Sequence, residues 1–438
     1  MPPKKSKLYA MAAPLPKNEV LTDTLKQKWI LGKSIGKGGF GEIYSAAAGE
    51  SVPKNESDFA YVIKIEPKEN GPLFVEKTFY LRAGKAVDVN AWKEKNKLKT
   101  FGMPIMHGNG IHESGSSKYR FLVMDRYSKD LYTLWNSCNK SFPLSTVLQI
   151  AIQILDVYEY IHSKGYVHAD IKPANLLLGL KKGTENQVYV VDFGLAARYT
   201  ASKDPKRAHN GTIEYVSRDA HAGGTTRRGD MEILAYNVVQ LLSSKLPWEG
   251  LLKDCVAVHK AKEAAMQNVP QFLKSCFGKK QVPDVVSKFV NYVSEMSFEA
   301  EPDYSKVRKI FLDGLKSEGV KFESPLCFTK PLEQQNGVTT KVRTSPRKAA
   351  KRGSTNSKPG ASKESEMENR DSSCSNNFEE SDVEKEEETP PKKRRVAAKP
   401  KPKDKEKVSW RDCPTVKASR VTRPGEFVPL NPKPKKKS

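Results

Sequence analysis

The alternation of apolar and polar positions divides the chain into two regions of different secondary structure. Before residue 126, short runs with a two-residue period predict the strands of an antiparallel sheet. A helix is predicted from Gly71-Pro72 to about Arg82, because proline suits the first turn of a helix. A second, polar helix is predicted at 89–98. The predicted strands cover 29–35, 42–46, 59–66, 105–111 and 119–125.

After Asp125 the spacing of apolar residues becomes helical. Residues 144–163 carry an apolar stripe with a period near 3.6, and residues 231–242 are apolar nearly all round, which predicts a buried central helix. A sheet-rich lobe followed by a helical lobe predicts an α+β, bilobal fold with a ligand cleft between the lobes. Further helices are predicted at 256–266, 285–296 and 304–315.

Composition changes along the chain and predicts three parts. We expect a flexible N-terminal extension at 1–28, a globular domain at 29–323 and a disordered charged tail at 324–438. Within the tail a basic block at 341–363 is followed by an acidic block at 364–388, and the whole chain carries a net charge of +24. Charge blocks of this kind are typical of interaction tails.

Composition also argues against several classes of protein. The six cysteines have neither metal-ligand spacing nor the density of a disulfide framework, which favours a reducing compartment. No apolar run has the length of a membrane span, and the start Met1-Pro-Pro-Lys-Lys5 lacks the apolar stretch of a secretory signal. We expect a monomer that does not attach to membranes.

A glycine-rich string runs from Ile35 to Ile43. The pattern GxGxxG alone is weak evidence, since it also occurs in dinucleotide-binding turns, where a helix follows the last glycine. Here Glu42 to Ser45 alternate like a strand, so we expect a strand–turn–strand flap whose backbone amides approach phosphate oxygens. The residues expected to contact a nucleotide are Ile35, Gly36, Lys37, Gly38, Gly39, Phe40, Gly41 and Ile43.

A lysine lies on the strand that follows the flap. Alternation puts Val62 and Lys64 on one face, toward the flap. Most lysines are solvated surface residues, but phosphates under a glycine flap need a cation, and that cation needs an anionic partner. Glu76 is the favoured partner, with Glu69 and Glu94 as alternatives.

Two later strings supply the other groups that phosphoryl transfer requires. In His168-Ala-Asp-Ile-Lys-Pro-Ala-Asn175, Asp170 would orient an attacking hydroxyl and take its proton, and Lys172 would neutralise charge on the transferred group. Asn175 and Asp192, the latter in Asp192-Phe-Gly194, would ligate Mg²⁺ beside ATP. The alternative for the first string is an ordinary polar loop with a turn-forming asparagine.

Together these strings resemble the protein kinase signature set over residues 29–315. Other strings resemble the casein-kinase-one branch: Gly211-Thr-Ile-Glu-Tyr215, Asp219-Ala-His221, Arg227-Arg-Gly-Asp-Met-Glu232 and Leu246-Pro-Trp248. The basic tail and the inserted helix are similar to those of the vaccinia-related kinases. So are the strings Gly71-Pro-Leu-Phe74 and Tyr119-Arg-Phe-Leu-Val-Met-Asp-Arg126.

The resemblance implies a nuclear, chromatin-associated serine/threonine kinase that uses ATP and Mg²⁺. It implies substrates among chromatin proteins, including core histones and barrier-to-autointegration factor, and Lys172 and Thr212 match the serine/threonine pattern. Met124 would close the back of the nucleotide pocket, and the hinge would run from Asp125 to Tyr127. The adenine would lie between Ile35, Ile43, Val62 and Leu177.

Two departures from the general kinase pattern change the expectation. Ala169 replaces an arginine that ordinarily binds a phosphate on the activation segment, so activity should not need that phosphorylation. Ser217-Arg-Asp-Ala-His221 replaces the usual Ala-Pro-Glu, which leaves the anchor of the activation segment open. The competing hypothesis is a catalytically silent chromatin- or DNA-binding scaffold with a kinase fold. A scaffold has no reason to retain the whole catalytic set, which is Lys64, Asp170, Asn175 and Asp192.

Basic residues are frequent near the expected substrate site. They are either ordinary solvated charge or a surface that attracts acidic or DNA-bound substrates. The residues are Lys203, Lys206, Arg207, Arg218, Arg227 and Arg228.

The tail carries further motifs. Pro390-Pro-Lys-Lys-Arg-Arg-Val396 resembles a nuclear-import signal, which implies an import receptor as partner, and the lysine-rich end suits contact with the phosphates of DNA or nucleosomes. Ser345 and Thr389 precede prolines and look like sites of cell-cycle kinases. Phosphate there would add about −1.5 to −2 charges beside basic blocks and loosen chromatin contact.

Overall fold

The structure is a computed structural model that describes residues 11–37, 41–329, 419–423 and 426–429. The first lobe is a six-stranded antiparallel sheet with two helices. Its strands are β1 (Val20–Thr22), β2 (Lys28–Lys37), β3 (Glu42–Ala48), β4 (Tyr61–Pro67), β5 (Met106–Ser114) and β6 (Ser117–Asp125). Its helices are α1 (Pro72–Ala83) and α2 (Ala86–Lys95).

The sheet order is β1-β2-β3-β4-β6-β5, with every neighbouring pair antiparallel. Alternation along the strands turns one set of side chains into a closed apolar core, in which Leu31, Ile63 and Phe121 are fully buried. The predicted strands and the helix beginning at Pro72 are confirmed. The polar helix begins three residues earlier than predicted, at Ala86.

The segment before β2 differs from the flexible extension predicted for residues 1–28. From residue 11 onward it is part of the first lobe, since Leu15 and Leu21 are buried and β1 pairs with β2. The Leu15 amide donates to Tyr44 Oη at 2.8 Å, and Tyr44 Oη donates to Glu42 Oε2 at 2.7 Å. β1 is only three residues long, so its sequence is too short to show a period.

The second lobe is helical. Its helices are α3 (Leu131–Ser137), α4 (Leu144–Ser163), α5 (Arg218–His221), α6 (Arg227–Ser243), α7 (Cys255–Gln267), α8 (Val269–Phe277), α9 (Asp284–Glu295) and α10 (Tyr304–Ser317). Four short strands lie near the cleft, namely β7 (Tyr166–Val167), β8 (Leu176–Leu178), β9 (Val188–Val190) and β10 (Ala197–Arg198). These pair as β7 with β10 and β8 with β9, both antiparallel. The α+β bilobal prediction is confirmed.

One apolar core connects the second lobe with α1 of the first. Phe79 of α1 stacks on Phe193 at 4.1 Å between ring centroids, and both side chains are buried. This contact fixes α1 against the segment that carries Asp192. Helix α4 lies nearly completely buried within the same core, although its sequence predicted a single apolar stripe.

The chain after α10 packs back onto α4. Gln149 Nε2 donates to the carbonyl oxygens of Phe322 and Ser324, at 3.0 and 2.7 Å, and the Phe142 ring contacts Phe328 edge-on. The packed domain therefore extends to residue 329, slightly beyond the predicted boundary at 323. Within the described residues, no helix combines the length and the apolarity that crossing a bilayer requires.

The described tail residues form an antiparallel hairpin of β11 (Ser419–Arg423) and β12 (Glu426–Pro429). This hairpin belongs to a separate unit, residues 380–438. The import-signal string at 390–396 and the phosphorylation motifs at Ser345 and Thr389 lie outside the described residues.

Two leucines four positions apart test whether the N-terminal segment belongs to the folded lobe. Leu21 is fully buried, whereas Leu25 is 83% exposed. Leu21→Ala should lower the free energy of unfolding by about 2–5 kcal/mol, because it leaves a cavity in the sheet core. Leu25→Ala should change it by less than about 0.5 kcal/mol. Urea denaturation of both variants measures this, and equal effects would contradict the packing of this segment.

Candidate active site

The cleft between the lobes is organised around Lys64 on β4. Its Nζ lies 2.8 Å from Glu76 Oε2 on α1 and 2.8 Å from Asp192 Oδ1 in the second lobe. Of the three carboxylates considered as partners, Glu76 is the one in contact. One cation therefore joins the sheet, helix α1 and the segment after β9.

The electrostatics of this triad keep Lys64 and Asp192 ionised. Burial alone would lower the pKa of Lys64, but the two carboxylates raise it above its usual value. Burial likewise opposes ionisation of Asp192, yet Lys64 lowers the pKa of that carboxyl to about 2. Burial raises the pKa of Glu76, and its contact with Lys64 offsets part of that effect. Because the Asp192 side chain keeps 42% of its exposure, it can reach a ligand in the cleft.

The catalytic-loop candidates lie together opposite the flap. Asp170 Oδ1 accepts a hydrogen bond from the Thr212 amide at 2.8 Å, and Lys172 Nζ donates to Thr212 Oγ1 at 2.9 Å. Lys172 Nζ is also 3.4 Å from Asp170 Oδ2. Asn175 Nδ2 donates to the Asp170 carbonyl at 3.0 Å. The Asp170 carboxylate is thus held from two sides, and its second oxygen faces the lysine.

A residue without an assigned role in the sequence, Asp230 on α6, holds this loop from behind. Its carboxylate accepts from the amides of His168 and Ala169 at 2.8 and 2.9 Å and contacts His162 Nε2 at 2.9 Å. Ala169 has φ 66°, a left-handed conformation that costs a non-glycine residue about 1–3 kcal/mol. The two hydrogen bonds from Asp230 maintain that strained turn. Its only signal in the sequence was the string Arg227–Glu232.

The flap begins and ends in regular strand. Gly36 pairs with Ile43, and Lys37 pairs with Glu42. A side chain at Gly41 would lie 2.1 Å from the Ile65 carbonyl oxygen, so only glycine fits where β3 crosses β4. The tip residues Gly38, Gly39 and Phe40 lie outside the described residues.

The expected adenine contacts are distributed over both lobes. Val62 pairs in register with Met124, which is buried, and Ile43 pairs with Lys64. Leu177 lies on β8 in the second lobe, and Ile35 on β2 is 41% exposed.

The hinge candidates contact side chains around the junction of the lobes. Asp125 binds Lys181 at 2.7 Å and His107 at 3.2 Å, and these two cations lower its pKa although burial opposes them. The Tyr127 ring stacks on Tyr189 at 4.3 Å.

The donor atoms near Asp192 fit a hard divalent cation. Asn175 uses Nδ2 to donate to Asp170, which leaves its Oδ1 as the atom available to a cation. A carboxylate and an amide oxygen are the ligand types that such ions take from protein, with phosphate oxygens completing the shell.

Three of the six basic residues near the substrate side are used in structural ion pairs. Arg218 Nε is 2.9 Å from Glu232, Arg227 Nη1 is 3.1 Å from Glu301, and Arg228 Nε donates to Asp219 at 3.0 Å. Their charges are largely neutralised within the domain. This reduces the basic surface available to attract substrates to Lys203, Lys206 and Arg207.

Comparison with known proteins agrees with this geometry. Residues 56–303 match the protein kinase domain, the class that the two lobes and the Lys64 triad define. A solved structure of vaccinia related kinase 3 superimposes with a TM-score of 0.64 and 26% identity, covering 73% of this chain and 96% of that one.

Sequence relatives narrow the class. Nucleosomal histone kinase 1 of Drosophila melanogaster is 47% identical over 76% of this chain and 55% of its own length. The human serine/threonine-protein kinase VRK2 is 42% identical over 71% of this chain and 61% of its own length. The B1 kinase of vaccinia virus (strain Ankara) is 34% identical over 68% of this chain and 97% of its own length. The chain therefore belongs to the vaccinia-related kinase family, as the sequence predicted.

Glu66, two residues after Lys64 on β4, provides a pH-dependent test of the buried charges under the flap. It is 1% exposed, accepts a hydrogen bond from the Leu73 amide at 3.0 Å, and has its pKa raised by burial to about 7. Between pH 4.5 and 7 the folded state therefore binds more protons than the unfolded state, and stability falls as pH rises.

Glu66→Gln keeps the acceptor oxygen and removes the titration. The variant should gain up to about 3 kcal/mol over the wild type between pH 4.5 and 7 and run parallel to it above that range. The exposed Glu69→Gln variant should follow the wild-type curve. Urea unfolding at several pH values measures the difference, and parallel curves for wild type and Glu66→Gln would refute the assignment.

Proposed function

We propose that this protein is an ATP- and Mg²⁺-dependent serine/threonine protein kinase that acts on nuclear chromatin proteins, including core histones and barrier-to-autointegration factor. One observation carries the proposal: Lys64 contacts Glu76 and Asp192 at once, while Asp170 is held beside Lys172 across the same cleft. The name of the Drosophila relative, a nucleosomal histone kinase, supports the substrate class.

Bound ATP and Mg²⁺ supply the phosphoryl group and the charge neutralisation that its transfer needs. Lys64 is held by Glu76 in the position that suits the α and β phosphates. Asn175 and Asp192 would hold the metal. Asp170 orients the substrate hydroxyl and accepts its proton, and Lys172, fixed by Thr212, neutralises charge on the transferred group.

The same geometry supports activity without phosphorylation of the activation segment. Ala169 has no cationic side chain to bind such a phosphate, and its amide is already bound to Asp230. The catalytic loop is held by a residue of the folded domain, so a phosphate is not needed to organise it.

For the tail we propose contact with nucleosomes or DNA and with an import receptor, which would make the protein nuclear. The lysine-rich residues at 397–438 suit phosphate contacts without sequence readout. Phosphorylation at Ser345 and Thr389 would weaken these contacts by adding negative charge beside basic blocks.

Replacing Lys64 separates an active kinase from a silent scaffold. Lys64→Met should lower phosphate transfer to core histones by about 10²–10³-fold, because one preorganised charge contact is lost. Lys68→Met, an exposed neighbour on the same segment, should transfer normally. Labelled ATP and phosphosite mapping measure this, with Asp192→Ala to identify contaminating activity. A folded wild type that neither binds ATP nor labels histones or barrier-to-autointegration factor would contradict the proposal.

Removing the tail should have the opposite effect. Deletion of residues 331–438 should leave transfer to a soluble protein substrate within about twofold, since the packed domain ends at residue 329. It should weaken DNA binding and remove most of its salt dependence, whose logarithmic slope is about −0.9 per phosphate neutralised. DNA affinity at several salt concentrations measures this, and an unchanged slope would refute a role for the tail.

A further inference from the structure

A fully buried lysine lies on the far side of the loop that holds Asp170. Lys262, on α7, has no exposed surface, and no carboxylate contacts its Nζ among the described residues. Its Nζ donates to the carbonyl oxygens of Ile213 and Val216, each at 2.7 Å. These two carbonyls belong to the loop that begins at Thr212.

The third proton of the Lys262 ammonium also has an acceptor. His221 Nε2 lies 3.4 Å from Nζ, so three donors meet three acceptors. Two aromatic faces complete the enclosure, with the Tyr236 and Trp248 ring centroids at 5.3 and 5.2 Å from Nζ. An ammonium buried in this way is stabilised by carbonyl dipoles and ring faces instead of by an ion pair.

This geometry determines the protons on two histidines. If His221 Nε2 accepts from Lys262, its Nδ1 carries the hydrogen and donates to His209 Nδ1, which lies 2.8 Å away. Burial and the charge of Lys262 lower the pKa of His221 to about 2, which agrees with a neutral ring. His209 lies on the activation segment, so the chain of hydrogen bonds reaches that segment as well.

The loop between Thr212 and Val216 is fixed at a third point by the same pocket. Trp248 Nε1 donates to the Glu214 carbonyl at 2.8 Å. At its other end the loop contacts the catalytic candidates, through the Thr212 amide to Asp170 and through Thr212 Oγ1 to Lys172. Only a few residues of backbone therefore separate Lys262 from the proton acceptor.

We propose that Lys262 is a positioning residue for phosphoryl transfer, which anchors the 212–216 loop through its carbonyl oxygens and thereby holds Asp170 and Lys172 in place. The inference rests on the proposed kinase function. It also supplies an anchor for an activation segment that lacks Ala-Pro-Glu, namely backbone carbonyls bound by a buried ammonium.

The other titratable groups around Lys262 modify its charge. Burial lowers the pKa of Lys262 to about 7, and Glu232 and Glu214 oppose that effect. His259 stacks on His221 at 5.0 Å and pairs with Glu263 at 3.6 Å on the solvent side. Measurements at pH 6 therefore examine the protein with Lys262 in the ammonium form.

The kinetic test compares Lys262→Met with Lys260→Met, an exposed lysine on the same helix. At pH 6, Lys262→Met should lower kcat/KM for core histones about 10–100-fold. ATP affinity, measured by calorimetry without a protein substrate, should stay within twofold, because the Lys64 triad is untouched. Lys260→Met should match the wild type in both. Equal kcat/KM for the two variants, or a parallel loss of ATP binding, would overturn the inference.

A second measurement needs no variant and covers the case in which Lys262→Met does not fold. In the full-length protein labelled with ¹⁵N-histidine, His221 at pH 6 should be a neutral ring with its hydrogen on Nδ1. A charged His221, or one with its hydrogen on Nε2, would overturn the inference. A wild type that does not phosphorylate histones but shows this tautomer would instead contradict the proposed function alone.

Discussion

The arrangement of the whole cleft depends on one buried cation shared by two carboxylates. Lys64 comes from the sheet, Glu76 from α1 and Asp192 from the second lobe, so the contact exists only when all three elements are docked. A buried ion pair is expensive to break, since removal of one partner leaves an uncompensated charge. The stacking of Phe79 on Phe193 fixes the same two elements through apolar contact. Charge and packing therefore favour the same position of α1.

Strain and support occur together on the other side of the cleft. Ala169 and Asp192 both have φ 66°, a conformation that non-glycine residues rarely adopt. Asp230 maintains the first through two amide hydrogen bonds, and Lys64 holds the side chain of the second. Each strained residue is thus next to a group that the proposed reaction uses, and each is stabilised by a charged partner from a different element.

Strong periodicity predicted the long elements well, and local punctuation hid the others. Helix α4 was predicted at the bounds that the structure has, because a 20-residue apolar period is unambiguous. Helix α8 was missed because Asn268 alone separates it from α7, ending one helix and capping the next. The start of α2 was misplaced since only Val89 of that helix is buried, which leaves almost no apolar signal.

The same reasoning explains which site residues could be predicted. The Lys64, Asp170 and Asp192 strings are short and local, so their residue types are visible in the sequence. Asp230 and Lys262 act through backbone atoms far away in the chain, and a polar residue on a helix looks like surface until the fold shows its partners. Supporting residues of this kind become visible only when burial and hydrogen bonds are known.

The hydrogen bonds around Tyr44 extend the influence of the N-terminal segment to the nucleotide-covering loop. Glu42, directly after Gly41, also accepts from Ser34 Oγ at 2.8 Å, so one buried carboxylate spans both strands at the root of the flap. The amide of Leu15 completes that set from outside the sheet. A protein shortened to begin at Lys28 would keep every kinase motif, yet its Glu42 and Tyr44 would face water. Its grip on the triphosphate would then be weakened at a distance from any residue that touches it.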